Sequence, residues 1–333
     1  MSPRLSIYGT VFNSIKSLKT SVTALQNVFS DVDGGFELVI TDNYSNDGTF
    51  EALKQMSETF SNIYIYRKKS NRGMGRQMAF EKTSGYYVYY VDFDDVILDS
   101  TMRILLTKHE DYLKKNVIID GMCRKEVIEE VGGWKPLNAS EDFELSARAI
   151  MQGYELMSIP AIKFLPYDKI VGQIRGKAVV NESRYVRGVI AVNIRRLKYV
   201  EDFCAGSCVR LSDLKYFHGY EKLGILFANT LNFVRGRKAF CVDPSVSNIE
   251  FVELHRNFLD PGEFNIPEER WFESITRRVS DSVIKKRIDY FLSRGYKYIV
   301  WLPDRVLMSP GESTVKSMLD PDTSYQISLM VHQ

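Results

Sequence analysis

The sequence lacks long apolar runs. Nowhere does an uninterrupted stretch reach the roughly 18 to 20 residues that a membrane-spanning helix requires. A basic segment followed by an apolar signal core is also missing from the N-terminus. We therefore expect a cytoplasmic protein, either soluble or peripherally bound to the inner face of the membrane.

Cysteine is scarce as well. The four cysteines are Cys123, Cys204, Cys208 and Cys241, and none of them forms a CxxC pair. This spacing disfavours a disulfide framework or a zinc ribbon, and we expect buried free thiols instead.

The composition fits a globular protein whose charge is unevenly spread. With 333 residues, 44% hydrophobic and 26% charged, the chain can bury one large core and a second, smaller one. The net charge is only +2, yet residues 165–240 contain fourteen Lys or Arg against six Asp or Glu. The middle of the chain is therefore basic.

The first half alternates β-prone runs with helical patterns, which indicates an α/β fold with a mostly parallel sheet flanked by helices. The predicted strands are Arg4 to Val11, Phe36 to Thr41, Ile63 to Arg67, Tyr86 to Val91 and Val117 to Ile119. The predicted helices are Ser14 to Phe29, Thr49 to Phe60, one that ends near Gly85, Ser100 to Leu113, and one that opens at Ser140. Long Arg-rich helices follow Pro166. The sequence thus divides into residues 1–165, a catalytic α/β domain, and residues 166–333, a basic helical extension with a small α/β element.

Polar motifs follow three of these strands, and the first two motifs come after Phe36 to Thr41 and after Ile63 to Arg67. Asp42 to Thr49 has the composition of a β-to-α loop with a helix cap, but Asp42 stands directly at the strand end, where a carboxylate can accept from a nucleotide base. Asn71 to Arg76 is a turn in which Gly73 permits close backbone approach and Arg76 suits phosphate oxygens. It lacks the third glycine of a dinucleotide fingerprint.

The third motif is Asp92-Phe93-Asp94-Asp95, after the strand YYVYYV. Carboxylates this close repel one another unless a cation neutralises them, and such a site suits Mg²⁺ or Mn²⁺ with diphosphate oxygens. The structural alternative is a solvated acidic turn that caps the next helix.

The fourth motif is Ser140-Glu141-Asp142-Phe143-Glu144. It reads as a helix start, because Ser140 is a good cap and the acids favour the positive end of the helix dipole. A carboxylate at this place also suits a general base for a sugar hydroxyl.

In order and spacing, the motifs resemble those of family 2 glycosyltransferases of the GT-A fold. The matching segments are Thr10 to Asn13, Asp42 to Thr49, Asn71 to Gly73, the DXD motif Asp92 to Asp94, Gly132 to Trp134, and Glu141-Asp142. The resemblance covers about the first 165 residues. Asn43 stands where the family often has a second Asp, and Arg76 falls closer to Asn71 than the family's usual arginine.

The resemblance implies an inverting transfer from a nucleoside-diphosphate sugar to an acceptor hydroxyl or lipid phosphate. Asp92 and Asp94 would bind Mn²⁺ or Mg²⁺, and Asp142 would take the acceptor proton. The residues expected to contact the donor are Thr10, Asn13, Asp42, Asn71, Gly73, Arg76 and Asp92. Trp134 and Glu141 are expected on the acceptor side, with a buried core tryptophan as the alternative for Trp134.

The extension adds a candidate membrane surface. Ser183 to Val200 and Leu214 to Val234 read as helices with apolar and polar faces, the first of them cationic, which suits either packing on the catalytic domain or an anionic membrane near a lipid-linked acceptor. Glycan and protein acceptors are equally compatible, and nucleic acid is disfavoured. Beyond these, a helix from Pro267 to Arg294 and strands near Tyr298 and Tyr325 are expected.

Two rival interpretations remain open. Val91 to Ser100 resembles the first motif of haloacid-dehalogenase-type phosphatases, in which Asp92 would be the nucleophile. That family has Gly where Asp95 stands and normally carries the motif on its first core strand. The other interpretation is a non-catalytic basic module for membranes or nucleic acid.

Overall fold

The computed structural model describes residues 2–93, 95–97, 100–166, 198–217, 220–236, 241–243, 245–302, 305–317 and 326–329. Two predicted features lie outside these residues. One is Asp94 of the DXD motif, and the other is nearly all of the cationic helix predicted from Ser183 to Val200.

The largest element is an eight-stranded sheet. Its strands are β1 (Leu5–Val11), β2 (Phe36–Asp42), β3 (Ile63–Arg67), β4 (Tyr87–Tyr90), β6 (Val117–Ile119), β7 (Met122–Arg124), β8 (Glu155–Ser158) and β10 (Arg256–Phe258). Their spatial order is β10-β8-β6-β7-β4-β1-β2-β3. All neighbours are parallel except those of β7, which is antiparallel to both β4 and β6. The predicted mostly parallel α/β fold is confirmed.

Helices cover both faces of this sheet. In chain order they are α1 (Ile15–Phe29), α2 (Thr49–Thr59), α3 (Arg72–Glu81), α4 (Thr101–Lys108), α5 (Glu110–Leu113), α6 (Lys125–Glu130) and α7 (Glu141–Met151). Alternation along the strands divides the core, because Ile7 joins the cluster beneath α1 and α4 while its neighbour Tyr8 joins the cluster beneath α3, α6 and α7. Each such fully buried apolar side chain contributes about 1.5 to 3 kcal/mol by leaving water.

The seven parallel strands end at one edge of the sheet, and this edge carries the polar motifs. Val11 pairs with Asp42, so that the loops after β1 and β2 leave the sheet side by side. Tyr90 ends β4 and leads into Asp92. A short antiparallel pair lies beyond this edge, formed by β5 (Asp95–Ile97) and β9 (Phe164–Pro166). Ligands of open α/β sheets bind at the carboxyl ends of strands, so a ligand is expected at this edge.

The C-terminal part contributes to the same sheet. Its helices are α8 (residues 198–207), α9 (Tyr220–Val234), α10 (Asn248–His255), α11 (Asp281–Leu292) and α12 (Glu312–Ser317). Strand β10 adds a parallel edge to β8. A second, antiparallel sheet has the order β11-β13-β12-β14, from Glu273–Thr276, Arg305–Ser309, Tyr298–Trp301 and Gln326–Leu329. The predicted division near Pro166 therefore does not coincide with the border of the main sheet.

Three findings bear on the remaining expectations. The helix predicted from Pro267 to Arg294 is wrong in its first half, where Glu273–Thr276 forms a strand by antiparallel pairing with Arg305–Ser309. Cys208 and Cys241 form a disulfide, contrary to the expected free thiols, whereas Cys123 and Cys204 are buried and free. Among the described residues, no helix combines the length and the apolarity needed to cross a bilayer.

Candidate active site

The loops after β1 and β2 are fastened to each other. Asn13, which has a left-handed backbone (φ 53°), donates its N–H to Ser45 Oγ at 2.9 Å. Its side-chain Oδ1 accepts from the Asn46 N–H at 3.0 Å. Asn13 therefore fixes the shape of the second loop.

Asp47 ties the same two loops to two helices. Its carboxylate accepts from the Ile15 N–H at 3.2 Å and from Thr49 Oγ1 at 2.6 Å. Burial acts to raise the pKa of Asp47, but the hydrogen bonds from Thr49 and Ile15 outweigh it, so this pKa lies below its usual range. Gly48, which stands between Asp47 and Thr49, has a φ of 94°, a backbone conformation that favours glycine. The Asp-Gly-Thr motif is a structural clamp at the start of α1 and α2.

Asp42 lies beneath the loop rather than on its surface. Its side chain is fully buried, accepts from the Ser45 N–H at 3.2 Å and pairs with Arg67 Nε at 3.0 Å. The Arg67 guanidinium lies between the rings of Tyr44 and Phe50, at 4.7 and 4.2 Å from their centroids. The Asp42 carboxylate is thus bound by groups of the protein itself, whereas Tyr44 is exposed.

The Asn71 to Arg76 turn starts α3. Asn71 caps this helix by accepting from the Met74 N–H at 2.9 Å. Gly73 packs against the segment that precedes α7, since a Cβ there would lie 1.9 Å from the Lys135 carbonyl oxygen. The Gly73 N–H donates to the Leu137 carbonyl at 2.8 Å. Both predicted donor contacts, Asn71 and Gly73, thus hold the site's framework together.

Arg76 joins two of the acidic motifs. Its Nη2 lies 2.6 Å from Asp92 Oδ1 and its Nη1 lies 2.9 Å from Glu141 Oε1. The Arg76 guanidinium packs against the rings of Trp134 and Tyr90, with Cζ at 4.9 and 5.3 Å from their centroids. Only 4% of the Arg76 side chain and 2% of that of Glu141 are exposed, against 44% for Asp92.

These contacts set the charges. Burial acts to lower the pKa of Arg76, but Asp92 and Glu141 raise it well above its usual range, so Arg76 is a fixed cation. Burial also acts to raise the pKa of Asp92, which Arg76 more than offsets, leaving that pKa lowered. For Glu141 burial prevails over Arg76, and the like charge of Asp142 adds to it, so its pKa is raised.

Trp134 is part of the core. Its side chain is buried, and its indole N–H donates to the Tyr8 hydroxyl at 3.0 Å. Its ring meets Tyr90 edge-on, with centroids 4.8 Å apart. This is the core alternative that the sequence left open, because a ring so enclosed has no free face for a sugar.

A pocket of about 320 Å³ opens at the carboxyl ends of β1, β2 and β4. Its lining residues are Thr10, Val11, Phe12, Ser14, Asn43, Arg72, Asp92, Phe93, Asn138 and Tyr199. Tyr199 comes from α8, which is anchored because Asp202 Oδ2 accepts from the Asn138 N–H at 2.9 Å and from Asn138 Nδ2 at 2.5 Å. The C-terminal part thereby supplies one wall of the pocket.

A second pocket, of about 150 Å³, lies at the same edge of the sheet. Its lining residues are Tyr90, Asp120, Gly121, Asp142, Phe143, Ser146, Leu156, Met157, Ser158, Val252 and Arg256. The exposed Asp142 carboxylate accepts from the Phe143 N–H at 2.9 Å. Arg76 lies between the pockets, because it binds Asp92 of the first and packs against Tyr90 of the second.

The predicted metal site is represented by Asp92. One oxygen of its half-exposed carboxylate is held by Arg76, and the side chain lines the larger pocket. Within the described part of the chain, no three His, Cys, Asp or Glu residues lie close enough to hold a metal ion. An exposed, ionised carboxylate fits a hard cation such as Mg²⁺ or Mn²⁺, and the assignment of Asp92 and Asp94 stays a prediction.

The structure also brings residues to the larger pocket that the motifs did not single out. Arg72 lines the pocket with a half-exposed side chain, whereas Arg76, one helical turn later, is buried behind Asp92. The sequence does not signal this difference, because residues four apart lie on the same face of a helix. Asn138 and Tyr199 had no local signal, since their positions depend on the packing of α8.

A helix-flanked, mostly parallel sheet with a polar pocket at its strand ends is the arrangement of GT-A glycosyltransferases. Residues 6–153 match the family described as Glycosyl transferase family 2. This match agrees with the family that the motifs of the first 165 residues resemble.

Individual proteins resemble the chain over part of their length. The uncharacterized glycosyltransferase YfnE of Bacillus subtilis is 27% identical over 126 residues, which are 37% of this chain and 31% of YfnE. An uncharacterized glycosyltransferase of Rickettsia bellii is 20% identical over 39% of this chain and 18% of its own length. The chain therefore spans about a third or less of these relatives.

Among solved structures, S. aureus TarS 1–349 in complex with UDP-GlcNAc has a TM-score of 0.43 at 12% identity, covering 71% of this chain and 93% of TarS 1–349. The mannosyltransferase PcManGT from Pyrobaculum calidifontis, in complex with GDP-Man and Mn²⁺, has a TM-score of 0.43 at 16% identity, covering 69% of each chain.

Proposed function

We propose that this chain transfers a sugar, with inversion, from a nucleoside-diphosphate sugar to an acceptor hydroxyl or lipid phosphate. One observation carries the proposal. The two pockets at the sheet edge each expose one motif carboxylate, Asp92 in the larger and Asp142 in the smaller, and the buried Arg76 lies between them. A donor and an acceptor can thus be held at adjoining places.

The larger pocket is assigned to the donor. Thr10 and Asn43 lie at the strand ends where the nucleoside is expected, and Arg72 has an exposed guanidinium suited to phosphate oxygens. Asp42, Asn13, Asn71 and Gly73 act by fixing the loops around the donor.

Asp92 and Asp94 would hold Mn²⁺ or Mg²⁺, and the ion would offset the charge of the departing nucleoside diphosphate. Arg76 keeps Asp92 ionised and oriented, because it lowers the pKa of that carboxyl and fixes one of its oxygens. The same guanidinium holds Glu141, the residue before Asp142. A single side chain thus orients both carboxylate motifs.

Asp142 is assigned as the general base. Its carboxylate is exposed in the smaller pocket and is held at the start of α7 by the Phe143 N–H. It would accept the proton of the acceptor hydroxyl as the oxygen attacks the anomeric carbon from the face opposite the leaving diphosphate. The acceptor itself would occupy the smaller pocket, and a glycan, a lipid-linked sugar or a protein all remain candidates. A location at the inner face of the membrane is part of the same proposal.

The test is titration calorimetry of the full chain with UDP, GDP and other nucleoside diphosphates, with and without Mn²⁺. We expect metal-dependent binding that Arg72→Gln weakens by about tenfold, since one exposed charged contact to phosphate contributes about 1.5 kcal/mol. The matched control is Arg103→Gln, which removes a surface arginine that pairs with Asp31 and does not line the pocket. If no nucleotide binds in a metal-dependent way, the proposal fails.

A further inference from the structure

Helix α8 is docked closely on the segment that precedes α7. Asp202 of this helix is buried and accepts from both nitrogens of Asn138. Ser207 Oγ, also buried, donates to Ser140 Oγ at 2.7 Å. Gly206 lies against the same segment, since a Cβ there would be 2.9 Å from the Ser140 carbonyl oxygen. Hydrogen bonds and close packing together therefore fix the position of α8.

Tyr199 lies on the same side of α8 as these contacts. It comes three residues before Asp202 and seven before Gly206, a spacing that brings side chains to one face of a helix. Tyr199 is half exposed and lines the larger pocket, as does Asn138. The contact between Asp202 and Asn138 thus places an aromatic ring at this pocket.

Asn138 connects this wall of the pocket to the part assigned to the diphosphate. The carbonyl of Leu137, directly before it, accepts from the Gly73 N–H at 2.8 Å. Gly73 follows Arg72, which lines the same pocket. Arg72 Nη1 also lies 3.7 Å from Glu141 Oε1, at the start of α7. The wall therefore stands near both the arginine assigned to phosphate and the helix that presents the assigned base.

The sugar of the donor is expected at this wall. In the proposed transfer its anomeric carbon lies between the diphosphate, near Arg72 and Asp92, and the base, Asp142. An exposed tyrosine ring offers an apolar face on which a sugar can stack. Asn138 adds a hydrogen-bond acceptor, because its Nδ2 donates to Asp202 and no group of the described residues donates to its Oδ1.

We infer that Tyr199 and Asn138 form the subsite for the sugar of the donor. The inference rests on the proposed function and deepens it, because it assigns the choice of sugar to particular residues. Tyr199 lies outside residues 6–153, the part of the chain that matches the family. The C-terminal part thus takes part in donor selection as well as in the fold.

The test is titration calorimetry of the full chain in the presence of Mn²⁺. UDP, GDP and dTDP are each compared with their hexose conjugates, and UDP also with UDP-N-acetylglucosamine. Tyr199→Ala is expected to weaken binding of the nucleotide sugar by about tenfold and that of the free diphosphate by less than about twofold, because only the former has a sugar to stack on the ring. Nearly unchanged binding of the diphosphate also shows that the variant is folded.

Two further variants serve as controls. Tyr199→Phe keeps the ring and is expected to bind each ligand like the wild type. Tyr64→Ala removes an exposed tyrosine that does not line the pocket and is expected to change the binding of neither ligand.

Two results would overturn the inference and leave the proposed function intact. One is an equal loss for the diphosphate and its sugar conjugate in Tyr199→Ala, which would place the ring against the nucleotide instead. The other is unchanged binding of every conjugate by this variant. Failure of the wild type to bind any nucleotide would refute the proposed function, and the inference with it.

Discussion

The ion cluster around Arg76 allows a quantitative test. Arg76→Met keeps the apolar contacts to Trp134 and Tyr90 but removes the cation between Asp92 and Glu141. Asp92 is half exposed and can be solvated, whereas Glu141 is left buried, 3.7 Å from the half-exposed Arg72. Loss of one partner from a buried pair costs about 3 to 5 kcal/mol, and we expect that loss of unfolding free energy at pH 8.

The double-mutant cycle adds a second expectation. Glu141→Gln leaves Arg76 paired with Asp92, so its cost is expected to be about 1 to 2 kcal/mol. In Arg76→Met/Glu141→Gln no buried charge is stranded, and we expect a coupling energy of at least about 1.5 kcal/mol.

The pH dependence of the unfolding free energy of Arg76→Met has a predicted direction. In Arg76→Met the folded-state pKa of Glu141 is expected to lie above its unfolded value, so the contribution of this group to the unfolding free energy is fully present at low pH and is lost as pH rises through that folded pKa. Urea unfolding at pH 5 and pH 8 measures this, with Arg103→Met, in a surface pair with Asp31, as a control that costs about 0 to 1 kcal/mol. A loss below about 1 kcal/mol in Arg76→Met that does not change with pH would refute the reasoning.

Three further predictions concern other parts of the chain. Burial raises the pKa of Glu273 to about 7 in the folded protein, so its carboxyl loses a stabilising proton as pH rises from the pKa of the unfolded chain to that of the folded protein. In urea unfolding, Glu273→Gln is expected to be about 1 to 3 kcal/mol more stable than the wild type at pH 8 and equally stable at pH 4. Gly73→Ala forces a methyl against the Lys135 carbonyl and is expected to cost about 1 to 3 kcal/mol, whereas Gly224→Ala, with open space around it, is expected to be neutral or slightly stabilising; equal effects would contradict this. Asp142→Asn is expected to retain nucleotide binding in calorimetry and to lose transfer of labelled sugar, and retained transfer would show that another residue is the base.

The elements of the first half were predictable because local signals and packing agree there. The predicted strand Ile63 to Arg67 is observed at those bounds, and the helix predicted from Ser14 begins one residue later, at Ile15. The order of the polar motifs along the chain placed them at strand ends, and parallel pairing brings such ends to one edge.

What the sequence did not reveal depends on contacts between distant residues. The motif gave no indication that Arg76 is buried and Arg72 half exposed, since both lie in the first half of α3 and what distinguishes them is the contact of Arg76 with the distant Asp92. The Cys208–Cys241 disulfide joins positions 33 residues apart and has no spacing signal. The strand at Glu273–Thr276 forms because a partner strand is available, which outweighs the helical pattern of its sequence.

Strand β10 has a consequence for synthesis of the protein. Leu156 of β8 pairs with Arg256, one hundred positions later, so the ribosome completes the rest of the main sheet long before it makes the strand that covers this edge. During that interval β8 presents unpaired backbone groups, which are a template for association with other chains. Until residue 258 emerges from the ribosome, this exposed edge can bind either a chaperone or another unfolded chain. The time needed to synthesise residues 159–258 therefore sets how long the chain is open to aggregation.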